Sequence, residues 1–229
     1  MAIIQGNAKQ GSTRGFYPKI INGSLRFNDD DSAYLSWTPA SAGNRKTWTF
    51  SAWVKRGNLG SDQVLFNADI NTGFNGDWLG FRSTNSLEFY HLNSSVSPTV
   101  RFETTALFRD PSSWYHVVLK VDTTQATASD RMILYVNGIA QNVSFLAGTY
   151  PTQNFDFITN NTVAHNLGRR SNFNAGGVNY TDAYLANVHF IDGQALTASD
   201  FGEIKNGVWV AKDYAGTFGT NGFYLTFED

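Results

Sequence analysis

Three consecutive aspartates, Asp29, Asp30 and Asp31, stand in "FNDDDSAYLSW" (Phe27–Trp37), in a chain where only 19 of 229 residues are acidic. Such a cluster suits three chemistries: calcium coordination by hard carboxylate oxygens, an acid pair for sugar hydrolysis, or a solvated turn. A second oxygen-rich stretch, "NADINTGFNGDW", brings Asp69, Asn71 and Asp77 into a Gly/Asn-rich segment of the same character, so calcium is the one cofactor these residues suggest. Runs of Asp, Asn and Gly are also what β-turns require, and both readings stay open. Sugar hydrolysis asks for a pair of carboxyl groups held close enough to flank one glycosidic bond, as acids alternating along one strand would be. The four glutamates, Glu88, Glu103, Glu203 and Glu228, do not supply that spacing, and Glu88, in line with Tyr90 and Leu92, reads as a solvated strand residue.

Carbohydrate recognition needs an aromatic platform beside amide and carboxylate hydrogen-bonders. Two segments offer it: Phe74 and Trp78 with Asn75 and Asp77, and Phe173 and Tyr180 with Asn172, Asn174 and Asn179. Glycine-flanked aromatics would equally close the open ends of a sandwich. The pair Arg169-Arg170 could anchor an acidic partner. His91, His116, His165 and His189 are scattered rather than at ligand spacing, and read as hydrogen-bonded sheet histidines. There is no cysteine, which removes disulfides, thiolate metal sites and a cysteine nucleophile together. A net charge of −2 argues against nucleic acid and anionic membrane as partners. No apolar stretch approaches membrane-spanning length, and the N-terminus lacks the charged and apolar regions of a signal peptide.

The elements that must position these groups are strands. "TWTFSAWVK" alternates, with Trp48, Phe50, Ala52 and Val54 on one side; "WYHVVLKVD" sets Tyr115, Val117, Leu119 and Val121 against Trp114, His116, Val118 and Lys120. "RMILYVNGIAQN" is a hairpin around Asn137-Gly138, whose residues both tolerate positive φ. A short helix is expected near 197–206, with Thr197 capping against Asp200 and Gly207 ending it. Beyond it, up to Gly222, a glycine-rich loop is broken only by "VWVA". About a dozen short strands make an all-β, antiparallel sandwich or barrel. Eighteen Phe, ten Tyr and six Trp are ample for its core. Residues 1–22 read as an arm, whose Ile3, Ile4, Phe16 and Tyr17 would be buried against a partner, and 23–229 as one domain.

Two blocks carry a family resemblance: "WYHVVLKVDTTQATASDRMILYVNGIA" and "YLANVHFIDGQALTASDFGE". Together with "LRFNDDDSAYLSW" they resemble laminin-G-like, concanavalin A-like jelly-roll domains, over about Ser24 to Glu203. A narrower likeness, strengthened by the closing "GTNGFYL", is to lectin-fold virion proteins of tailed bacteriophages, marine ones especially. This implies a non-enzymatic virion protein, a capsid decoration or tail appendage. It would be held to other virion proteins by its arm, display the sandwich outward, and form a homo-oligomer by family analogy. The alternative is a host-recognition lectin binding a cell-surface glycan, with a glycoside hydrolase third.

Overall fold

The computed structural model describes residues 18–70, 75–93, 99–170 and 178–228. In chain order the strands are β1 (Leu25–Phe27), β2 (Leu35–Trp37), β3 (Thr47–Arg56), β4 (Gln63–Asp69), β5 (Asn75–Phe81), β6 (Leu87–Asn93), β7 (Val100–Thr104), β8 (Tyr115–Asp122) and β9 (Met132–Val136). They continue with β10 (Ile139–Ala140), β11 (Val143–Gly148), β12 (Ala164–Leu167), β13 (Arg169–Arg170), β14 (Asn179–Tyr180), β15 (Ala183–Asp192), β16 (Gly202–Lys205), β17 (Val208–Ala211) and β18 (Phe223–Leu225). The first sheet runs β1-β15-β3-β8-β9-β10, with β18 also on β15; the second runs β11-β7-β6-β5-β4-β12-β2. Their pairings are antiparallel, and the two sheets pack as the expected jelly-roll sandwich.

The alternation seen in sequence decides which residues fill the gap between the sheets. Trp48, Phe50, Ala52 and Val54 of β3 and Val117, Leu119 and Val121 of β8 meet Phe66, Leu79, Phe81, Phe89 and Phe102 of the second sheet in one buried cluster. Phe66 lies with its ring 5.1 Å from Phe50, tilted against it, and 6.0 Å from Phe190, nearly parallel to it, so that aromatic contacts bridge the sheets. The aspartate run joins β1 of the first sheet to β2 of the second, and it is a turn. Ser32 N–H donates to Asp29 O at 3.1 Å, Asn28 donates to Asp31 at 2.6 Å, and Asp30 and Asp31 are exposed.

Two expectations are corrected. The helix near 197–206 is a single 3-10 turn, Ala198–Asp200, in which the Asp200 carboxylate accepts the Thr197 N–H at 2.8 Å. From Gly202 the chain forms the β16–β17 hairpin in place of further helix and loop. The turn of that hairpin, Asn206-Gly207, has φ of 50° and 78°, matching Asn137-Gly138 at 48° and 81°. The same dipeptide chemistry makes both turns. Gly202–Ala211 and the loop to Phe218 lie over the outer face of the first sheet, where Phe201, Trp209, Tyr214 and Phe218 pack with Val118 and Ile191. Thr49 and Ser51 are therefore fully buried although they face away from the core.

Candidate functional site

The outer face of the second sheet collects polar and aromatic side chains in register. Across β2, β12, β4, β5, β6 and β7 the cross-strand partners are Ser36, Asn166, Asn67, Trp78, Tyr90 and Arg101. The row beside it runs Gly80, Glu88, Glu103 and Ser144. Trp78 and Tyr90 meet edge to face at 6.3 Å, and the Arg101 guanidinium lies 5.0 Å above the Tyr90 ring. The β13–β14 hairpin folds over this face. The chain leaves β12 through Gly168, whose φ of 78° and contact with the Phe27 ring leave no room for a side chain. Arg170 then lies 5.4 Å over Trp78. Thr181 and Asp182 return the strand by bonding to Val64 O and the Gln63 side chain.

Two carboxylates directly opposite on neighbouring strands repel. Here arginines hold them: Arg101 Nε is 2.7 Å from Glu88, while Arg82 reaches Glu103 at 2.9 Å and Glu88 at 3.7 Å. Glu88 is not the solvated residue expected from sequence; only 1% of its side chain is exposed. Burial raises its pKa, and the bond from Arg101 offsets this only in part. For Glu103 burial also pushes upward, but hydrogen bonds from Ser86 and Arg82 outweigh it and the pKa is lowered. Three buried polar atoms on this face have no hydrogen-bonding partner among the described residues: Glu88 Oε2, Trp78 Nε1 and Asn166 Oδ1.

Of the residues picked from sequence, Trp78 belongs to this face and Asn75 begins the same strand. Tyr180, on β14 beside Arg169, has its ring 6.2 Å from Tyr34, and Arg169 lies 4.0 Å above Tyr34. Phe74, Asn71, Asn172, Phe173 and Asn174 lie outside the described residues, as do Ile3, Ile4, Phe16 and Tyr17. Trp78 is not an exposed platform, since only 3% of it is accessible. Asp77 is turned to the core side, where it bonds His91 Nδ1 and the Thr159 N–H, each at 2.5 Å. Because Ala68 pairs with Asp77 and Asp69 with Gly76, the carboxylates of Asp69 and Asp77 point to opposite faces. They cannot share an ion, and among the described residues no three His, Asp or Glu side chains converge to hold a metal. Sequence reasoning missed Tyr90, Arg101 and the Glu88–Glu103 pair. Alternation in "LEFYHLN" and "TVRFET" places all four on the outward side, but only the register of β6 on β7 brings them together.

Solved structures of known proteins share this architecture at low identity. A heptameric SAP-like pentraxin from Limulus polyphemus is 15% identical, over 92% of this chain and 90% of that one, with a TM-score of 0.50. Domains LG4-5 of the mouse laminin alpha1 chain are 13% identical over 90% and 48%, with a TM-score of 0.53. Tailspike protein 2 of an Escherichia coli O157:H7 bacteriophage is 12% identical over 78% and 23%, with a TM-score of 0.52. The present chain thus spans about half of the laminin fragment and a quarter of the tailspike. No curated protein sequence matches. The family model for concanavalin A-like lectin/glucanases matches residues 29–201, and with that the chain belongs to the concanavalin A-like lectin/glucanases superfamily.

Proposed function

We propose that this domain is a non-catalytic carbohydrate-recognition module that binds an acidic saccharide across the outer face of its second sheet, and that a tailed-phage virion carries it. The supporting observation is the row Asn166, Asn67, Trp78, Tyr90 and Arg101, in which Asn166 Oδ1 and Trp78 Nε1, and beside it Glu88 Oε2, have no hydrogen-bonding partner among the described residues. Sugar hydroxyls both donate and accept, so one ligand class satisfies orphaned donors and acceptors together. Arg82, Arg101 and Arg170 balance Glu88, Glu103 and the nearby Asp62, and because Arg presents a planar fork to carboxylates, the ligand class proposed is a carboxylated sugar. The test is binding of the purified domain to immobilised sialic- and uronic-acid-terminated glycans. Arg101→Gln and Tyr90→Ala should each weaken binding by about tenfold or more, roughly 1.4 kcal/mol. Unchanged affinity in both variants would sink the assignment.

The virion setting rests on the sequence likeness in the "FNDDDSAYLSW" and "IDGQALTASDFGE" segments. Under this reading the arm, residues 1–22, joins the domain to other virion proteins. Detection of the chain in purified particles by mass spectrometry, and its loss on deleting the arm, are the expected results.

One observation favours hydrolysis as a second reading. Glu88 and Glu103 are neighbours whose pKa values are driven apart, as an acid and its partner base require. Binding is preferred because each carboxylate is held in an ion pair, Glu88 by Arg101 at 2.7 Å and Glu103 by Arg82 at 2.9 Å, which serves neither a proton donor nor a free base. Release of reducing sugar that is lost in Glu88→Gln would reverse that preference.

A further inference from the structure

The outer face of the first sheet carries a groove of about 470 Å³ with three indoles in its lining. Trp53 comes from the outward side of β3, where it breaks a polar pattern, Trp114 from the residue just before β8, and Trp209 from β17 above them. Ile20–Ser24 form one wall and Val208–Ala211 the other, with Ala186 between. Two of these indoles, Trp53 and Trp209, are fixed in place. Trp53 stacks on His116 at 4.9 Å and Trp209 stacks on the same ring at 5.9 Å, while Trp209 Nε1 donates to His116 Nδ1 at 3.0 Å. His116 is in turn bonded to Ser51 at 2.9 Å. Trp114 stands open to solvent, with 36% exposure.

We infer that this groove is a second carbohydrate site, independent of the acidic-glycan site on the other sheet, which takes a neutral hexopyranose. The apolar C–H face of a pyranose covers an indole face, gaining dispersion contacts over a flat area. The prearranged Trp53 and Trp209 lose little freedom when they bind. A groove of this volume holds one or two sugar rings. The indole N–H of Trp53 is buried with no acceptor among the described residues, and a sugar hydroxyl would supply one. The ligand is neutral because no carboxylate of the described residues lines the groove. The single lining cation among them, Lys19, is bonded to Asp213 at 2.7 Å and to the Tyr224 hydroxyl at 2.6 Å.

The test is a titration of intrinsic tryptophan emission with lactose, cellobiose and maltose, checked by calorimetry. Saturable binding of at least one disaccharide is expected in the wild-type domain. Trp114→Ala should weaken it about tenfold, with thermal melting confirming the fold, and Val208→Asp at the groove rim should weaken it too. Tyr90→Ala, which alters the opposite sheet, should leave this titration in place while reducing acidic-glycan binding, so failure of one site is distinguishable from failure of the other. No saturable signal up to roughly 50 mM of all three sugars would overturn the inference. So would binding that survives both groove variants. The exposed Ile20 and Val208 make a protein contact the rival use of this surface. If the groove variants change only sedimentation behaviour, the surface is a protein interface and the sugar site is refuted.

Discussion

His116 is a polar side chain that its neighbours hold neutral. An indole N–H can only donate, so His116 Nδ1 must accept from Trp209, which leaves the Nε2 hydrogen to donate to Ser51. Burial, with a smaller push from His189, takes the His116 pKa down to about 3, and burial with Lys19 nearby takes His189 to about 3 as well. Strand alternation alone is enough to read both as hydrogen-bonded sheet histidines; their depth is not legible, because the covering segment is distant in sequence. The folded pKa values lie below the unfolded value of about 6.5. Their contribution is therefore complete above about pH 6.5 and is lost as pH falls toward 3. At pH 5 the loss should be about 2 kcal/mol per histidine, read as a lower urea midpoint than at pH 7. His116→Gln should remove about half of that pH dependence. A midpoint flat between pH 7 and 5 would mean the rings are not held neutral.

Among the elements, the hairpins are the most legible, because an Asn-Gly turn is chemistry local to two residues. Asn137-Gly138 reads as a turn at once; Asn206-Gly207 carries the same signal, but the capping pair upstream makes it look like a helix end. That pair, Thr197 and Asp200, does form, yet one turn of 3-10 helix is all it supports before β16 begins. The two turns also differ in a measurable way. A side chain at Gly138 would run into the Trp209 ring, whereas nothing lies within 4 Å at Gly207. Gly207→Ala should cost about 1 kcal/mol from its left-handed backbone alone. Gly138→Ala should cost more, by thermal melting, and should also shift tryptophan emission. Equal costs would show that the β10 turn does not brace the groove. Register is what no local pattern encodes: Glu88 looks exposed in sequence because its arginines arrive from the β5–β6 turn and from β7.

At the scale of the whole molecule, the sandwich and its core are largely written in the alternation of β3 and β8, while the outward faces are not. Both are covered in part, one by the segment after β15 and the other by the β13–β14 hairpin. A buried polar hub closes one end. Asp192 accepts from Asn44 N–H at 2.8 Å and the Asn160 amide at 2.6 Å, and Asn221 bonds Asn160 at 2.8 Å, tying three loops together. Strand β15 is itself divided by a bulge at Asn187, which adopts a φ of 51°. Before the bulge its free edge pairs with β1, and after it with β18. The two strands therefore share one edge end to end, and Asn22 and Glu228 come within 3.4 Å at their side chains. Asn22 and Glu228 thus lie side by side, so a fold cut at these two residues can be spliced into a surface loop of a host protein without parting the host's own ends. A permutant that joins residues 22 and 228 through a short glycine linker and opens at Asn206-Gly207 should keep the parent far-UV spectrum and melt within a few degrees of it. Collapse of that permutant would show that the shared edge depends on chain continuity through the β16–β17 turn.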